Sequence, residues 1–244
     1  MNKRDIIICR NGDDLCRQAA AEFVGLAKES RHDRGRFTVA LSGGSTPRAL
    51  YSLLAAPEYK ERICWPQVHL FWGDERCVPP DHADSNYRMV RESLLSKIQI
   101  PEANVHRMAG EKEPRIAAAE YERRLIQFFQ LSNDELPRFD LIFLGLGEDG
   151  HTASLFPGSD ALKETKRLVA ATYVEKLNAH RLTLTLPVLN HGAAVLFLIT
   201  GTGKAAVVKE ILRDGSDPSR FPAAQIQPAD GRLTWLMTQD AAPQ

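Results

Sequence analysis

The sequence predicts an α/β fold: a single Rossmann-like three-layer domain over residues 1–244, with a mostly parallel central sheet and a small antiparallel strand region. Three observations predict it. Strand-length apolar runs alternate with helical patterns along the chain, as they do where helices connect parallel strands. Residues 141–146 and 193–199 are continuously apolar, as strands buried on both faces are. Chemically capable side chains fall just beyond the ends of these runs, where open α/β sheets bind ligands.

Residues 5–9 read as the first strand. Asn11 is placed to N-cap a helix from Gly12 to about residue 29, because Leu15, Ala19, Phe23 and Leu26 make one apolar face. Residues 37–41 form a short buried strand, and Pro47 starts a helix carrying Leu50, Leu53 and Leu54. Residues 68–72 make the next strand. Helices follow over 86–95 and 114–130, the second with Ile116, Ala119, Leu125 and Phe129. Residues 141–146 are the strand at the sheet centre. Residues 168–174 and 181–186 alternate as strands do, with a turn near Asn178, and suit an antiparallel pair. Residues 193–200 are another buried strand, 203–212 the helix after it, and 233–238 the last strand. Residues 214–228, with Gly, Ser, Pro and Asp, read as a long loop holding at most one turn.

Composition narrows the function. Lys+Arg and Asp+Glu are both 31, so the net charge is zero. A nucleic-acid or anionic-membrane surface needs a basic excess, so any anion site here must be local. The apolar runs are far short of a membrane span, and the short one at Ile6 to Cys9 is followed at once by acids, unlike a signal peptide. A cytoplasmic protein is expected. Cys9, Cys16, Cys64 and Cys77 are widely spread, with no Cys-x-x-Cys or Cys/His zinc spacing, and read as reduced structural thiols. No metal site is expected.

Four loops carry the chemistry. In the first, Ser42-Gly43-Gly44-Ser45-Thr46, the glycines let the backbone approach an anion, and hydroxyls and a helix N-terminus supply donors. The same residues also suit a plain strand-to-helix turn. In the second, Asp74-Glu75-Arg76 follows an apolar strand. Arg76 can fork onto a phosphate or carboxylate, and Asp74 is a candidate base or positioning group. In the third, Gly145 to Ser154, His151 follows Asp149 by two positions in a glycine-rich turn, at an expected helix start. Imidazole is the side chain best suited to move protons near neutral pH. His180 and His191 are outside candidates to line the site. In the fourth, Lys204 stands at a helix start, against the dipole, which suggests use as a point charge for an anion.

In this order the loops resemble the 6-phosphogluconolactonase family. The matching stretches are VALSGGSTPRALY, FWGDERCVPPDHADSNYRM, FDLIFLGLGEDGHTASLFPGS, RLTLTLPVLN, ITGTGKA and GRLTWLMT, spread over nearly the whole chain. The resemblance implies a fold shared with glucosamine-6-phosphate deaminases and related sugar-phosphate isomerases. It implies hydrolysis of 6-phosphogluconolactone to 6-phosphogluconate in the oxidative pentose phosphate pathway, with no organic cofactor. The implied partner is a small sugar-phosphate lactone, with neither nucleic acid nor membrane, in a monomer or small homo-oligomer. His151 becomes the expected general base, with Asp149 fixing its tautomer or shaping the turn. Ser42, Gly43, Gly44, Ser45, Thr46, Arg76 and Lys204 become expected substrate contacts, with Arg181 a further candidate that also suits a carboxylate partner. Arg76 is open to two roles, phosphate binding and oxyanion stabilisation.

The alternative is the sister deaminase or isomerase activity, in which Asp74 abstracts a carbon-bound proton. The deaminases follow their D-G-H turn with an apolar residue and Ala-Phe-Asn-Glu-Pro. Here the turn continues Thr152-Ala153-Ser154-Leu155-Phe156-Pro157, without that glutamate, and Arg76 stands where the deaminases place a tyrosine or similar residue. A non-catalytic sugar-phosphate sensor would need a DNA-binding helix-turn-helix or a basic face, and the sequence offers neither.

Overall fold

Local signals set the helix ends. The computed structural model describes residues 4–213, 217, 218 and 220–243. Asn11 accepts a hydrogen bond from the Asp14 amide at 2.9 Å and caps α1 (Gly12–Arg34). Asp13 and Asp14 in its first turn and Arg31 and Arg34 in its last match the helix dipole, and Gly35 ends it at φ 71°. The helix runs past residue 29 because Ala27 and Ser30 still face the core. α2 (Ser45–Leu54) starts before Pro47, with Gly44 ahead of it at φ 110°. A short α3 (Pro57–Lys60) follows. Ser85 caps α4 (Asn86–Ser93), and the Glu113 carboxylate caps α5 (Pro114–Phe129). α6 (Leu186–Leu189) is brief, and α7 (Ala205–Leu212) follows a 3₁₀ turn at Thr202–Lys204.

The strands are β1 (Arg4–Cys9), β2 (Phe37–Leu41), β3 (Val68–Trp72), β4 (Asp74–Arg76), β5 (Val105–His106), β6 (Leu141–Leu144), β7 (Val169–Val174), β8 (Ala179–Leu184), β9 (Ala194–Ile199) and β10 (Arg232–Thr238). Seven of them form a parallel sheet in the order β1-β10-β9-β6-β2-β3-β5. Every residue of β2, β6 and β9 is buried, so both faces of the sheet centre are covered by helices. The remaining strands pair antiparallel as β4-β8-β7. The predicted α/β class and the separate antiparallel region are both present.

At the amino end of the sheet, Asp140 joins its central strands. Its Oδ2 accepts from the Thr38 amide at 2.7 Å and the Thr38 hydroxyl at 2.8 Å, while Oδ1 accepts from Arg34 at 2.5 Å. At the carboxyl end, buried tyrosines hold the chain where it leaves the sheet. The Tyr51 hydroxyl accepts from the Ser42 amide at 3.0 Å and donates to the Ser42 carbonyl at 2.9 Å. Tyr121 does the same for Trp72, at 2.9 and 3.2 Å.

Several expectations need correction. Asp74–Arg76, read as loop, is β4: it pairs with β8, and its middle residue turns inward. The strand expected over 181–186 is Ala179–Leu184, because Pro187 lies in the first turn of α6. The strand expected to reach residue 146 ends at Leu144. The helix expected over 86–95 ends at Ser93 and continues as the 3₁₀ turn Leu95–Lys97. No helix starts at His151. Gly150 (φ 80°) and Ala153 (φ 47°) both take left-handed backbone, and Thr152 bridges Leu155. Of the loop expected over 214–228, residues 214–216 and 219 lie outside the described residues, and Pro222–Gln225 is a 3₁₀ turn. Among the described residues no helix is long and apolar enough to cross a membrane.

Candidate active site

Topology assembles the site. β9, β6, β2 and β3 are neighbours, in that order, and all run the same way. Their carboxyl ends therefore line one edge, and the loops carrying Lys204, His151, Ser42 and Asp74 leave it side by side. Contacts join each loop to the next. The Thr46 and Thr200 hydroxyls lie 2.7 Å apart. Lys204 Nζ stands 4.0 Å from Glu148 Oε1. Ser154 Oγ donates to Asp74 Oδ2 at 2.7 Å. The Gly73 amide donates to the Leu41 carbonyl at 2.8 Å.

The glycines are where neighbouring side chains need room. A Cβ on Gly43 would sit 2.0 Å from Asn86 Oδ1, and one on Gly147 would sit 2.0 Å from His151 Nδ1. Asn86 in turn donates through Nδ2 to the Asp74 carbonyl at 3.0 Å. Gly43 thus lets the first loop close over α4 and the Asp74 strand.

His151 sits in a built environment. Its Nδ1 lies 2.5 Å from Asp149 Oδ1, and its ring stacks on Phe156 at 4.1 Å between centroids. The Asp149 carboxylate also accepts from the His151 amide at 3.1 Å and pairs with Lys176. Burial opposes ionisation of Asp149, but the hydrogen bonds from Lys176 and His151 outweigh it and hold its pKa at about 2. At neutral pH Asp149 is therefore an acceptor only, so the hydrogen of this contact is carried by Nδ1.

β4 and β8 build the other half. Arg76 lies directly opposite Arg181, and Asp74 opposite Thr183, so these four side chains share one face of the small sheet. Arg76 Nη1 donates to the Asp84 carbonyl at 2.5 Å and Arg181 Nη1 to the His180 carbonyl at 3.3 Å, but among the described residues no carboxylate forms an ion pair with either guanidinium. Burial first, then the charge of Arg76, push the Arg181 pKa down. Opposed like charges are unfavourable across a strand pair, and an anion between them would relieve both. Glu75, between Asp74 and Arg76, turns inward and accepts the amides of Arg76, Asn86 and Tyr87 at 2.8, 2.7 and 2.7 Å. Burial pushes its pKa up to about 7 despite these donors.

His180 and His191 do not join the site. His180 is the second residue of β8 and packs on Tyr173. His191 precedes β9, at the opposite edge of the sheet, near the Pro137 carbonyl. Among the described residues no group of three His, Cys, Asp or Glu side chains is placed to hold a metal ion. Sequence reasoning missed Tyr51, Asn86, Ser154, Phe156 and Lys176. The sequence signal available for them was proximity to a site loop, and for Lys176 there was none.

A carboxylate–imidazole pair in a loop at the carboxyl edge of the parallel sheet, with two facing arginines on the small sheet beside it, is an arrangement found on an α/β enzyme scaffold. The chain belongs to the glucosamine-6-phosphate isomerase/6-phosphogluconolactonase family, whose model matches residues 10–235. It is 46% identical over 210 residues to a 6-phosphogluconolactonase of Synechocystis, covering 86% of this chain and 85% of the relative. It is 45% identical over 212 residues to a 6-phosphogluconolactonase of Rattus norvegicus, covering 86% and 81%. The solved structure of 6-phosphogluconolactonase from Trypanosoma brucei superposes with a TM-score of 0.88 at 30% identity, covering 99% of this chain and 98% of that one. A monomeric glucosamine-6-phosphate deaminase shares the fold, with a TM-score of 0.80 at 19% identity.

Proposed function

We propose that this chain is a cytoplasmic 6-phosphogluconolactonase that hydrolyses 6-phospho-D-glucono-1,5-lactone to 6-phospho-D-gluconate, with His151 as general base. The observation that carries the reading is the Asp149–His151 pair in the loop after β6, a loop tied through Ser154 and Asp74 to the strand pair on which Arg76 faces Arg181. The first supplies a base and the second a place for a dianion.

The chemistry follows from the parts. A lactone is an ester, and its hydrolysis needs an activated water, charge stabilisation and a fixed substrate. Nε2 of His151 takes a proton from water as the oxygen attacks the lactone carbonyl. Asp149 holds the ring and steadies the imidazolium that forms. The imidazolium then returns the proton to the ring oxygen as the C–O bond breaks. General acid–base help of this kind is worth about 10²–10⁴ in rate. Arg76 and Arg181 meet the phosphate, with Lys204 and the Ser42–Thr46 turn taking the remaining oxygens of phosphate and sugar. That remote binding energy orients the carbonyl.

Asp74 is the residue a deaminase or isomerase would use. Here Ser154 Oγ donates to its carboxylate, and Asn86 holds its other side. It therefore serves best as a strut joining the second and third loops, which favours the lactonase over the sister activity. The test is a coupled assay following loss of 6-phosphogluconolactone against its spontaneous hydrolysis, with ammonia release from glucosamine 6-phosphate measured in parallel. Lactone loss well above background without ammonia supports the reading. Background-rate loss, or ammonia release, contradicts it.

A further inference from the structure

We propose that Lys176, at the tip of the β7–β8 hairpin, is a positioning residue that sets the proton affinity of His151 by sharing its carboxylate and its aromatic support. The proposal rests on the reading of His151 as the general base.

The geometry is a four-membered cluster. Asp149 presents Oδ1 to His151 Nδ1 and Oδ2 to the Lys176 ammonium. Phe156 stacks on the His151 ring at 4.1 Å and receives the Lys176 ammonium at 4.6 Å from its centroid. His151 and Lys176 therefore hold the same two partners from different elements. Lys176 belongs to the 3₁₀ turn Glu175–Leu177, which separates β7 from β8. The hairpin tip reaches the turn after β6 with no backbone link near it in sequence.

The consequence is electrostatic. A carboxylate beside an imidazole favours the protonated ring, and an isolated Asp149 would make His151 a poor free base near neutral pH. Lys176 neutralises the far oxygen of that carboxylate and adds a positive charge near the ring. Both effects lower the ring's proton affinity while the hydrogen bond still fixes its orientation. The other charges in the neighbourhood are Glu148 on the same loop, Glu175 on the hairpin, Asp160 across the adjoining cleft, and Lys204 after β9. Glu148 is drawn to Lys204, so Lys176 is the cation that answers Asp149.

The hairpin also fixes the ring mechanically. Asp149, Phe156 and Lys176 line one cleft of about 510 Å³. Removing the lysine opens that wall and leaves Asp149 with the amide and imidazole of His151.

The experiment compares the wild type, Lys176→Met and Lys176→Arg. The pH dependence of kcat/KM for the lactone is measured, and the Cε1–H resonance of His151 is titrated by NMR in the ligand-free protein. For unit charges about 5 Å apart in partly solvated surroundings, loss of the cation is expected to raise the His151 titration midpoint by about 0.5–1 pH unit. The acid limb of kcat/KM should rise with it, giving a three- to tenfold loss well below the limb and little change on the plateau. Lys176→Arg restores both. An unmoved NMR midpoint in a folded Lys176→Met protein overturns the proposal, as does a rise in KM alone, which would make Lys176 a substrate ligand. The NMR titration does not depend on catalysis. A moved midpoint with an unmoved kinetic limb would leave the electrostatic link standing and remove His151 as the base.

Discussion

Replacing Gly147 by alanine tests the site without removing a charged or polar group. A Cβ at this position would lie 2.0 Å from Nδ1 of His151, 2.2 Å from its Cε1 and 2.7 Å from Asp149 Oδ1. Ordinary van der Waals contact begins near 3.4 Å, so the ring must retreat by more than an ångström. A misplacement of about 1 Å at a reacting group costs roughly 100-fold in rate, or about 2.7 kcal/mol of transition-state stabilisation. The arginines proposed to meet the phosphate lie on β4 and β8, apart from this turn, and are undisturbed. The expected result is a kcat lower by about 100-fold with KM within about threefold of the wild type. Gly147 does not need left-handed backbone, so the fold tolerates the methyl group. The assay is initial-rate hydrolysis of the lactone corrected for its spontaneous loss, with circular dichroism to confirm the fold. Gly25→Ala, in the open middle of α1, is the control and should leave kcat unchanged. A kcat within threefold of the wild type in a folded Gly147→Ala protein would refute the reasoning, because the ring would then not be where the chemistry happens.

Other substitutions probe other parts of the account. Arg181→Met removes one of two facing guanidinium groups and should raise KM for the phosphorylated lactone by about tenfold or more, with much less effect on an unphosphorylated analogue; equal effects would argue against a phosphate contact. Asp140→Ala leaves the buried Thr38 amide without its acceptor and should cost about 2–3 kcal/mol, or roughly 4–12 °C in Tm, with kcat unchanged. Asp149 carries a pH signature in stability. Its folded pKa of about 2 lies below the unfolded value of 3.8, so its contribution is full above the unfolded value and drains away as pH falls towards 2. Urea unfolding of wild type and Asp149→Asn at pH 5 and pH 2.5 should show a smaller acid-induced loss in the variant; equal losses would mean that Asp149 is not held by its partners.

The sequence carried the sheet and the four loops because both depend on local pattern. Apolar runs such as 141–144 and 194–199 cannot be exposed, and polar residues straight after them must sit at strand ends. What it did not carry depends on chain segments far apart. Asp74–Arg76 has none of the β-branched or aromatic residues that mark strands, and its pairing with β8 comes from residues more than a hundred positions away. The confrontation of Arg76 with Arg181 therefore had no sequence signature, although both residues were candidates. The helix expected at His151 failed because Gly150 and Ala153 take left-handed backbone, which suits the turn that aims the imidazole at Asp149. Lys176 sits in a polar hairpin tip indistinguishable from an ordinary solvated turn, and its partners, Asp149 and Phe156, lie in a different loop.

The central claim is tested most directly by the steady-state kinetics of His151→Ala on 6-phosphogluconolactone. Loss of the base predicts a fall in kcat of about 10²–10⁴ with KM and thermal stability close to the wild type. A folded His151→Ala enzyme that turns over the lactone at nearly the wild-type kcat would contradict it.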